Sequence, residues 1–222
     1  MKKTIKMIVS DMDGTLVDYP IKPFNSTWDA FYDALGLSEE NRMLRENYYP
    51  KKELETEWTD KQVGLLKGMP VAKALENLFP IPYSKGAKEF FLSLNGDYKK
   101  GILTSGISFV ADAIKKELNF DFSISNTLNQ KNERFTGTYN HENWLKLWAK
   151  GAKADKLKEI SYKFKIPLDS ICFIGDNDND IPCFNLVALP VAFNPKTEET
   201  GKNAKYIISD FRELNSLLYS LE

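Results

Sequence analysis

Short apolar runs alternate with helical patterns along this chain, and this alternation constrains the fold more than any other feature. Uninterrupted runs of this length suit strands that are covered on both faces, as in a parallel sheet. The segments between them place apolar residues three and four positions apart, which is typical of helices with one buried face. The sequence therefore predicts an α/β fold with a doubly wound, Rossmann-like, mostly parallel sheet. The predicted strands are 5–10, 99–105, 169–175, 187–193 and 205–209.

The stretch from residue 18 to residue 83 departs from this alternation, because it contains helical patterns and no convincing strand. Prolines bound it at both ends. We therefore predict a Rossmann-like catalytic core made of residues 1–17 and 84–222, with residues 18–83 inserted after the first strand as a helical cap domain. The bounding prolines are Pro20, Pro23, Pro80 and Pro82.

A second irregular piece covers residues 120–140, between two helical patterns of the core. Apolar and polar residues alternate there around a polar centre. This pattern predicts a small β-hairpin flap.

Composition and charge exclude several classes of protein. The chain has 222 residues, of which 42% are hydrophobic and 27% charged, as in an ordinary globular protein. A net charge of -1 argues against a nucleic-acid-binding protein, because such proteins usually present a net basic face. No apolar run is long enough to span a bilayer, and the N-terminal run is broken by Lys6 and lacks a cleavage pattern. We therefore expect a cytoplasmic protein that binds neither nucleic acid nor membrane.

Cysteine and histidine usage excludes further kinds of site. Cys172 and Cys183 form no C-x-x-C pair, so two reduced, packed thiols are expected rather than a disulfide framework. His141 is the only histidine in the sequence, which excludes a site built from several histidines.

Polar side chains follow several of the predicted strands, at the edge where open α/β sheets bind their ligands. Carboxylates held close together repel one another unless a cation lies among them, and oxygen ligands suit Mg²⁺ better than zinc. A lysine, a hydroxyl and an exposed glycine N–H suit an anion with several oxygens, and phosphate fits best. Together these features predict phosphoryl transfer. The residues are Asp11 and Asp13 after the first strand, Thr104, Ser105 and Gly106 after the second, Lys153 at a helix start, and Asp176, Asp178 and Asp180 after the third.

The spacing of the first two aspartates also constrains the backbone. A straight strand would point Asp11 and Asp13 to opposite faces of the sheet. The strand is therefore expected to end or bend there, and Gly14 supplies the conformational freedom for it.

Each motif taken singly has a simpler explanation. Asp-Gly pairs are common in turns, and Lys153 and Ser105 alone would be a solvated helix residue and a turn residue. The run from Asp176 to Asp180 resembles part of a calcium-binding loop, but it lacks the glutamate that ends that pattern. The ordered combination, with each piece after its own strand or at a helix start, favours one shared site.

These motifs resemble those of the haloacid dehalogenase-like superfamily of phosphohydrolases. The matching stretches are DMDGTLV, ILTSG, KADKL and FIGDNDND, and their order and spacing match over nearly the whole chain. The first and fourth are highly specific as a pair, whereas the second and third are weak alone. VGLLKGMP at 63–70 and FTG at 135–137 are similar to the phosphoserine-phosphatase-like branch.

The resemblance implies an enzyme that hydrolyses phosphoric monoesters through an aspartyl phosphate. Asp11 would be the nucleophile that attacks phosphorus. Asp13 would be the general acid that protonates the leaving alcohol and then the base that activates water. An acid that holds its proton near neutral pH needs a raised pKa, and a neighbouring carboxylate acts in that direction.

The resemblance also implies a metal site and a phosphate cradle. Mg²⁺ would be held by the Asp11 carboxylate, the backbone carbonyl of Asp13 and Asp176, with Asp180 supporting the metal ligands. The implied phosphate-binding residues are Ser105, Gly106, Lys153 and Asn179.

Two positions depart from the phosphoserine phosphatases. Their glutamate, nine residues after the nucleophile, binds the serine amine and is replaced here by Pro20. Their arginine, just before the stretch matching VGLLKGMP, holds the serine carboxylate and is replaced here by Gln62. We therefore expect the substrate to be a small-molecule phosphomonoester other than phosphoserine, with the mobile cap supplying specificity.

Three rival functions use similar residues. Phosphotransferases and phosphomutases share the aspartyl-phosphate chemistry and differ in the acceptor, which the sequence leaves open together with the oligomeric state. A receiver-type signalling domain also combines acids, a hydroxyl residue and a lysine, but it is shorter and uncapped. A binding protein that has lost activity is disfavoured because no core motif residue is missing.

Overall fold

The computed structural model describes residues 4–22, 24–94, 96–146 and 151–219, and within them a parallel sheet organises the chain. The strands are β1 (Met7–Ser10), β2 (Lys99–Ile107), β3 (Phe122–Asn126), β4 (Leu128–Lys131), β5 (Arg134–Tyr139), β6 (Ile171–Gly175), β7 (Leu189–Phe193) and β8 (Tyr206–Ile208). Over these described ranges, six strands pair in the order β3-β2-β1-β6-β7-β8, and every pair in that sheet is parallel. The predicted α/β, Rossmann-like architecture is therefore confirmed.

Strand β1 lies at the centre of this sheet, between β2 and β6. Val9 is paired with Gly101 on one side and with Phe173 on the other. Every residue of β1 and β6 is buried, which explains why both strands are uninterrupted apolar runs in the sequence. Successive side chains point to opposite faces, so Ile8 belongs to one apolar cluster and Met7 and Val9 belong to the other.

Helices flank the sheet and fill the connections between its strands. The helices are α1 (Thr27–Ala34), α2 (Ser38–Tyr48), α3 (Glu55–Gly64), α4 (Val71–Ala74), α5 (Ala87–Ser93), α6 (Ser108–Glu117), α7 (Ala152–Phe164), α8 (Ile181–Phe184), α9 (Glu198–Asn203) and α10 (Glu213–Tyr219). Helices α6 and α7 each carry an apolar face toward the sheet, with Ile114 and Leu157 fully buried.

The predicted hairpin of residues 120–140 is only partly correct. The antiparallel pair β4 and β5 forms it, with Leu128 opposite Tyr139. The first part of the segment instead becomes β3, which pairs in parallel with β2 at the edge of the main sheet. Alternating apolar and polar residues fit a hairpin strand and a half-exposed edge strand equally well, so periodicity alone did not separate the two.

Helices α1 to α4 lie within residues 18–83, where the sequence predicts a helical insertion. The hairpin packs against this stretch: the Gly68 N–H donates to the Phe135 carbonyl at 2.8 Å, and the Phe135 N–H donates to the Met69 carbonyl at 3.0 Å. Its division from the core as a cap domain of residues 18–83 stays a prediction. Pro23, one of its predicted boundary prolines, lies outside the described residues.

Cys172 and Cys183 are both buried and free, as expected for packed thiols. Over the part of the chain that the structure describes, no helix has the length and apolar character needed to cross a membrane.

A glycine in β2 permits the close packing of the edge strand. A Cβ placed on Gly101 would lie 1.9 Å from the ring of Phe122. Gly101→Ala is therefore expected to lower the free energy of unfolding by about 1–3 kcal/mol, because the aromatic ring must shift within a packed core. The midpoint of urea unfolding measures the change.

Gly64→Ala is the matched control for this substitution, because no atom lies within 4 Å of its added Cβ. At this helical position alanine is expected to leave stability unchanged or to raise it by up to about 1 kcal/mol. Equal unfolding midpoints for the two variants would contradict the packing argument.

Candidate active site

The chain turns sharply just after β1, and this turn brings Asp11 and Asp13 to one cavity. The Asp11 N–H donates to the Ile174 carbonyl of β6 at 2.8 Å, so Asp11 still belongs to the edge of the sheet. Gly14 follows with a φ of +82°, in the left-handed region that favours glycine. A Cβ on Gly14 would lie 2.3 Å from Oδ2 of Asp176. Strand β1 therefore ends at Ser10, directly before the two aspartates, as the sequence predicts.

Three buried carboxylates converge beside this turn. One oxygen each from Asp11, Asp176 and Asp180 lies within 4.8 Å of the other two. Asp176 directly follows β6, and Asp180 ends the short 3-10 turn Asp178–Asp180. The Asp180 Oδ2 accepts hydrogen bonds from the N–H groups of Asp176 at 3.0 Å and Asn177 at 3.2 Å. Backbone donors therefore hold part of the negative charge in place.

Lys153 binds two of these carboxylates from the first turn of α7. Its Nζ lies 2.9 Å from Oδ1 of Asp11 and 2.6 Å from Oδ1 of Asp180. Burial by itself would lower the pKa of Lys153, but Asp11 and Asp180 outweigh it and hold the pKa above its usual range. Lys153 is therefore a permanent positive charge inside the acid cluster.

A second lysine, Lys196, also binds the acid cluster, and it is not among the site residues predicted from the sequence. Its Nζ lies 2.7 Å from Oδ2 of Asp176, whose Oδ1 accepts a hydrogen bond from the Thr15 hydroxyl at 2.9 Å. Lys196 follows β7, so it lies at the same edge of the sheet as the other site residues. The search for polar side chains after strands, which identified Asp11 and Asp176, would have found Lys196 if it had been extended to the strand predicted at 187–193.

Asp13 is held by the beginning of α1. The Thr27 N–H donates to its Oδ1 at 2.7 Å, and the Thr27 hydroxyl donates to its Oδ2 at 2.8 Å. Burial raises the pKa of Asp13 to about 6, against the lowering effect of the Thr27 hydrogen bonds and with a further increase from Asp11. The direction of the shift is the one that a general acid needs.

The acid cluster carries more negative than positive charge. Burial raises the pKa of Asp176 to about 6 and that of Asp180 to about 7, although Lys196 and Lys153 oppose the two shifts. Among the described side chains of the site, four carboxylates face two lysines. This oxygen-only donor set with excess negative charge fits a hard divalent cation such as Mg²⁺.

The second motif lies inside β2 rather than beyond its end. The Gly106 N–H donates to Oγ1 of Thr104 at 2.9 Å, so this predicted phosphate donor has an intramolecular partner. Ser105 lines the cavity with Asp11. A Cβ on Gly106 would lie 2.6 Å from Oδ2 of Asp13, so glycine permits the close approach of the two motifs.

The remaining aspartate and asparagine of the fourth motif have different surroundings. Asn179 lines the cavity, and its Oδ1 is buried without a hydrogen-bond partner among the described residues. Asp178 instead accepts a hydrogen bond from the Thr200 hydroxyl at 2.8 Å and is not part of the cavity wall formed by the described residues.

A cavity of about 150 Å³ extends from the acid cluster to the helices that follow β1. Asp11, Asp13, Asp176 and Lys196 line its core end. Gln62 lines the other end, whereas Pro20 is exposed and does not belong to the wall formed by the described residues. Helices α1 to α3 and the residues that flank them contribute Phe24, Ser26, Trp28, Asp29, Asn41, Arg45, Tyr49, Glu55, Trp58, Thr59 and Gln62.

The structure therefore brings most of the sequence-predicted residues together. One charged cluster is formed by Asp11, Lys153, Asp176 and Asp180, and the other predicted residues lie beside it. The residues that line the cavity or abut it are Asp13, Ser105, Gly106 and Asn179. Their roles in binding and catalysis remain predictions.

Comparison with known proteins places this arrangement in a family. The model of the haloacid dehalogenase-like hydrolases matches residues 8–185. A phosphoserine phosphatase of Archaeoglobus fulgidus is 32% identical over 86% of this chain, which covers 53% of that protein. A phosphoserine phosphatase of Idiomarina loihiensis is 27% identical over 88% of this chain, which covers 85% of that protein. The chain thus spans about half the length of the first of these relatives and most of the second.

Solved structures give the same result. A phospho-aspartyl intermediate analogue of phosphoserine phosphatase superposes with a TM-score of 0.79 and 28% identity, over 97% of this chain and 100% of that one. A substrate-bound phosphoserine phosphatase complex superposes with a TM-score of 0.78 and 27% identity, over 97% of this chain and 99% of that one. The likeness covers the sheet, the helices after β1 and the hairpin together.

The raised pKa values of the acid cluster predict an unusual pH dependence of stability. Asp176 and Asp180 bind protons more tightly in the folded state, with pKa values of about 6 and about 7, than an unfolded aspartate does. Their contribution is therefore largest at acidic pH and is lost as the pH rises through these values. In EDTA, the free energy of unfolding is expected to fall between about pH 5 and about pH 8, by about 1 kcal/mol from Asp176 and about 3 kcal/mol from Asp180.

Urea unfolding at the two pH values measures this loss, and Asp180→Asn is expected to reduce it. Addition of Mg²⁺ is expected to restore stability at the higher pH, because the ion binds the ionised carboxylates. A free energy of unfolding that stays constant or increases with pH in EDTA would be inconsistent with the charge balance described above.

Proposed function

Because the chain belongs to the haloacid dehalogenase-like hydrolases, in the phosphoserine-phosphatase-like branch, we propose that it is a Mg²⁺-dependent phosphatase that works through an aspartyl phosphate. Its substrate would be a small-molecule phosphomonoester. The observation that carries the proposal is the buried cluster in which Lys153 binds Asp11 while Asp176 and Asp180 converge on the same point. Family membership and the phosphatase relatives support a hydrolase of phosphoric monoesters.

Asp11, Asp176 and Asp180 would hold the metal, together with the backbone carbonyl of Asp13. The donors are oxygen atoms only, and a divalent cation would offset the negative charge that Lys153 and Lys196 leave uncompensated. Bound there, Mg²⁺ would supply the charge that lets an anionic nucleophile and an anionic phosphate approach each other.

In the first step, an oxygen of Asp11 attacks phosphorus, and the bond from phosphorus to the leaving oxygen breaks. Asp13 transfers its proton to that oxygen, so the product leaves as a neutral alcohol. Lys153 binds Oδ1 of Asp11 at 2.9 Å and thereby orients the carboxylate, with Oδ2 as the attacking atom. The step yields a phosphoryl group on Asp11 and an ionised Asp13.

In the second step, water attacks the phosphoryl group and the bond from phosphorus to Asp11 breaks. Asp13 takes a proton from this water, which returns both aspartates to their starting state. A pKa of about 6 suits both roles, because Asp13 then exchanges its proton close to neutral pH. Inorganic phosphate is the product that leaves.

The phosphate oxygens would be bound by donors around the acid cluster. Lys153 and the side chain of Ser105 supply direct donors, and Asn179 would bind the phosphate or the leaving group. The Gly106 N–H joins them if it exchanges its present acceptor, Oγ1 of Thr104, for a phosphate oxygen. Such donors stabilise charge as it develops on the transferred group.

We also propose that residues 18–83 act as a cap over the core formed by residues 1–17 and 84–222. Helices α1 to α3 supply one wall of the cavity, and the sheet edge supplies the other. Closing the cap would exclude water while Asp11 is being phosphorylated. The hydrogen bonds from Thr27 to Asp13 connect the cap directly to the catalytic acid.

Phosphoserine would not be the preferred substrate. Gln62 lines the cavity at the position where phosphoserine phosphatases carry an arginine, and it donates to Oδ1 of Asn41 at 2.7 Å. Pro20 replaces the glutamate that binds the amine, and Pro20 is exposed. These two substitutions remove the glutamate and the arginine with which phosphoserine phosphatases bind their zwitterionic leaving group.

Replacing the nucleophile tests the mechanism. Asp11→Asn is expected to lower the rate of phosphate release by about three orders of magnitude or more, because an amide does not attack phosphorus. Removal of Mg²⁺ with EDTA is expected to have a comparable effect, and phosphate release from a panel of phosphomonoesters measures both.

The surface variant Asp155→Asn is the matched control for charge, since Asp155 is exposed on α7 and ion-paired to Lys158. It is expected to leave turnover unchanged. Activity that persists in Asp11→Asn, or that is indifferent to Mg²⁺, would reject the aspartyl-phosphate mechanism.

The same panel tests the expected specificity. Phosphoserine is expected to have a kcat/KM at least about tenfold below that of the best ester, because its ammonium and carboxylate groups lose hydration and neither Pro20 nor Gln62 pairs with them. Tight and selective turnover of phosphoserine would contradict the expected specificity.

A further inference from the structure

Arg45 on α2 is a buried arginine in the cavity wall that the mechanism does not use. Only 9% of the residue is exposed, and its Nη2 lies 3.2 Å from Oδ1 of Asp29. Its guanidinium carbon lies 4.8 Å from the centre of the Phe24 ring. Its Nη1 is buried and has no hydrogen-bond partner among the described residues. An unsatisfied buried donor is costly, so an acceptor from outside the chain would complete this site.

We infer that Arg45 determines substrate specificity by donating a hydrogen bond from Nη1 to an uncharged oxygen of the leaving group. The substrate class is then a small phosphomonoester of a neutral, hydroxylated alcohol, such as a polyol or a small sugar. This inference rests on the proposed phosphatase function and adds the chemical identity of the alcohol.

The charges around Arg45 exclude a carboxylate as its natural partner. Asp29 already compensates the guanidinium, and Asp29 is fixed because it forms the capping box of α1 with Ser26. Arg45 and Asp29 form a buried ion pair without net charge, so a carboxylate bound beside it would add an uncompensated charge to a buried site.

An ammonium group fits no better, because it would lie beside a guanidinium whose open position is a hydrogen-bond donor. A hydroxyl accepts that hydrogen bond without placing another charge in a buried site. A neutral leaving group is thus the only one that satisfies Nη1 of Arg45 and leaves the Asp29 ion pair intact.

The rest of the wall suits a compact hydroxylated molecule. The aromatic side chains of Trp28, Tyr49 and Trp58 line this wall and offer apolar surface to the C–H groups of such a ligand. The amides of Asn41 and Gln62 are joined by one hydrogen bond and bring both donors and acceptors to the wall. Hydroxyls both donate and accept, and a cavity of about 150 Å³ limits the ligand to a small one.

A matched set of esters tests the inference with the full chain and Mg²⁺. Glycerol 3-phosphate carries a neutral diol, 3-phosphoglycerate a carboxylate, phosphoethanolamine an ammonium and phosphoserine both charges. Glycerol 3-phosphate is expected to have the highest kcat/KM of the four, by about tenfold or more. Phenyl phosphate, whose ring has no acceptor for Nη1, serves as the reference ester.

Arg45→Met is expected to lower kcat/KM for glycerol 3-phosphate about 10- to 100-fold, mainly through KM, as for one hydrogen bond from a charged donor. Its kcat/KM for phenyl phosphate is expected to stay within about threefold. Arg42→Met is the matched control: Arg42 lies on the same helix, is exposed and pairs with Glu39 and Glu46, and its loss is expected to change neither value. If thermal melting shows that Arg45→Met is unfolded, Arg45→Lys decides, because it keeps a cation beside Asp29 and loses the planar fork.

Ligand binding is measured separately by tryptophan fluorescence, since Trp28, Trp58 and Trp144 line the cavity. If no ester is hydrolysed but glycerol 3-phosphate binds in an Arg45-dependent manner, the proposed phosphatase function fails and the inference stands. A preference for 3-phosphoglycerate, phosphoserine or phosphoethanolamine overturns the inference. Equal binding and turnover of glycerol 3-phosphate by Arg45→Met and the unmodified chain overturns it as well.

Discussion

Repulsion among buried carboxylates is the constraint on which the rest of the site depends. Asp11, Asp176 and Asp180 lie together because β1 and β6 are neighbours in register, with Ser10 paired to Ile174, so both strands end at the same level. Lys153 offsets part of the charge, and backbone N–H groups offset more. The remaining negative charge is what makes the cluster suited to a hard cation.

Close approach of these charged loops depends on residues without a Cβ. Gly14 faces Asp176, Gly175 faces Asp180 and Gly106 faces Asp13, each so closely that a Cβ would lie less than 3 Å from the neighbouring side chain. The same glycines appear in the sequence as parts of the motifs that follow the strands. These glycines therefore permit the close spacing of the carboxylates, because any side chain at their positions would push the acids apart.

The sequence predicted the central elements of this arrangement and missed others for definite reasons. Asp11 and Asp176 were identifiable because strands of a parallel sheet deliver their following residues to one edge. Strand β3 was assigned to the hairpin because a period of two describes either structure. Lys196 belongs to none of the motifs, and Arg45 lies in a helix rich in charged residues, where an arginine at a buried position looks like one at the surface.

The sequence by itself determined that carboxylates and a lysine would share one edge of the sheet, because residue types and their order after the strands place them there. Only the tertiary structure decided which helix residues face that edge. Arg45 forms an ion pair with Asp29 of another helix. Gln62 lines the cavity, whereas Pro20 does not belong to the wall formed by the described residues. Such contacts depend on how helices dock against the sheet, and no local pattern of residues encodes that docking.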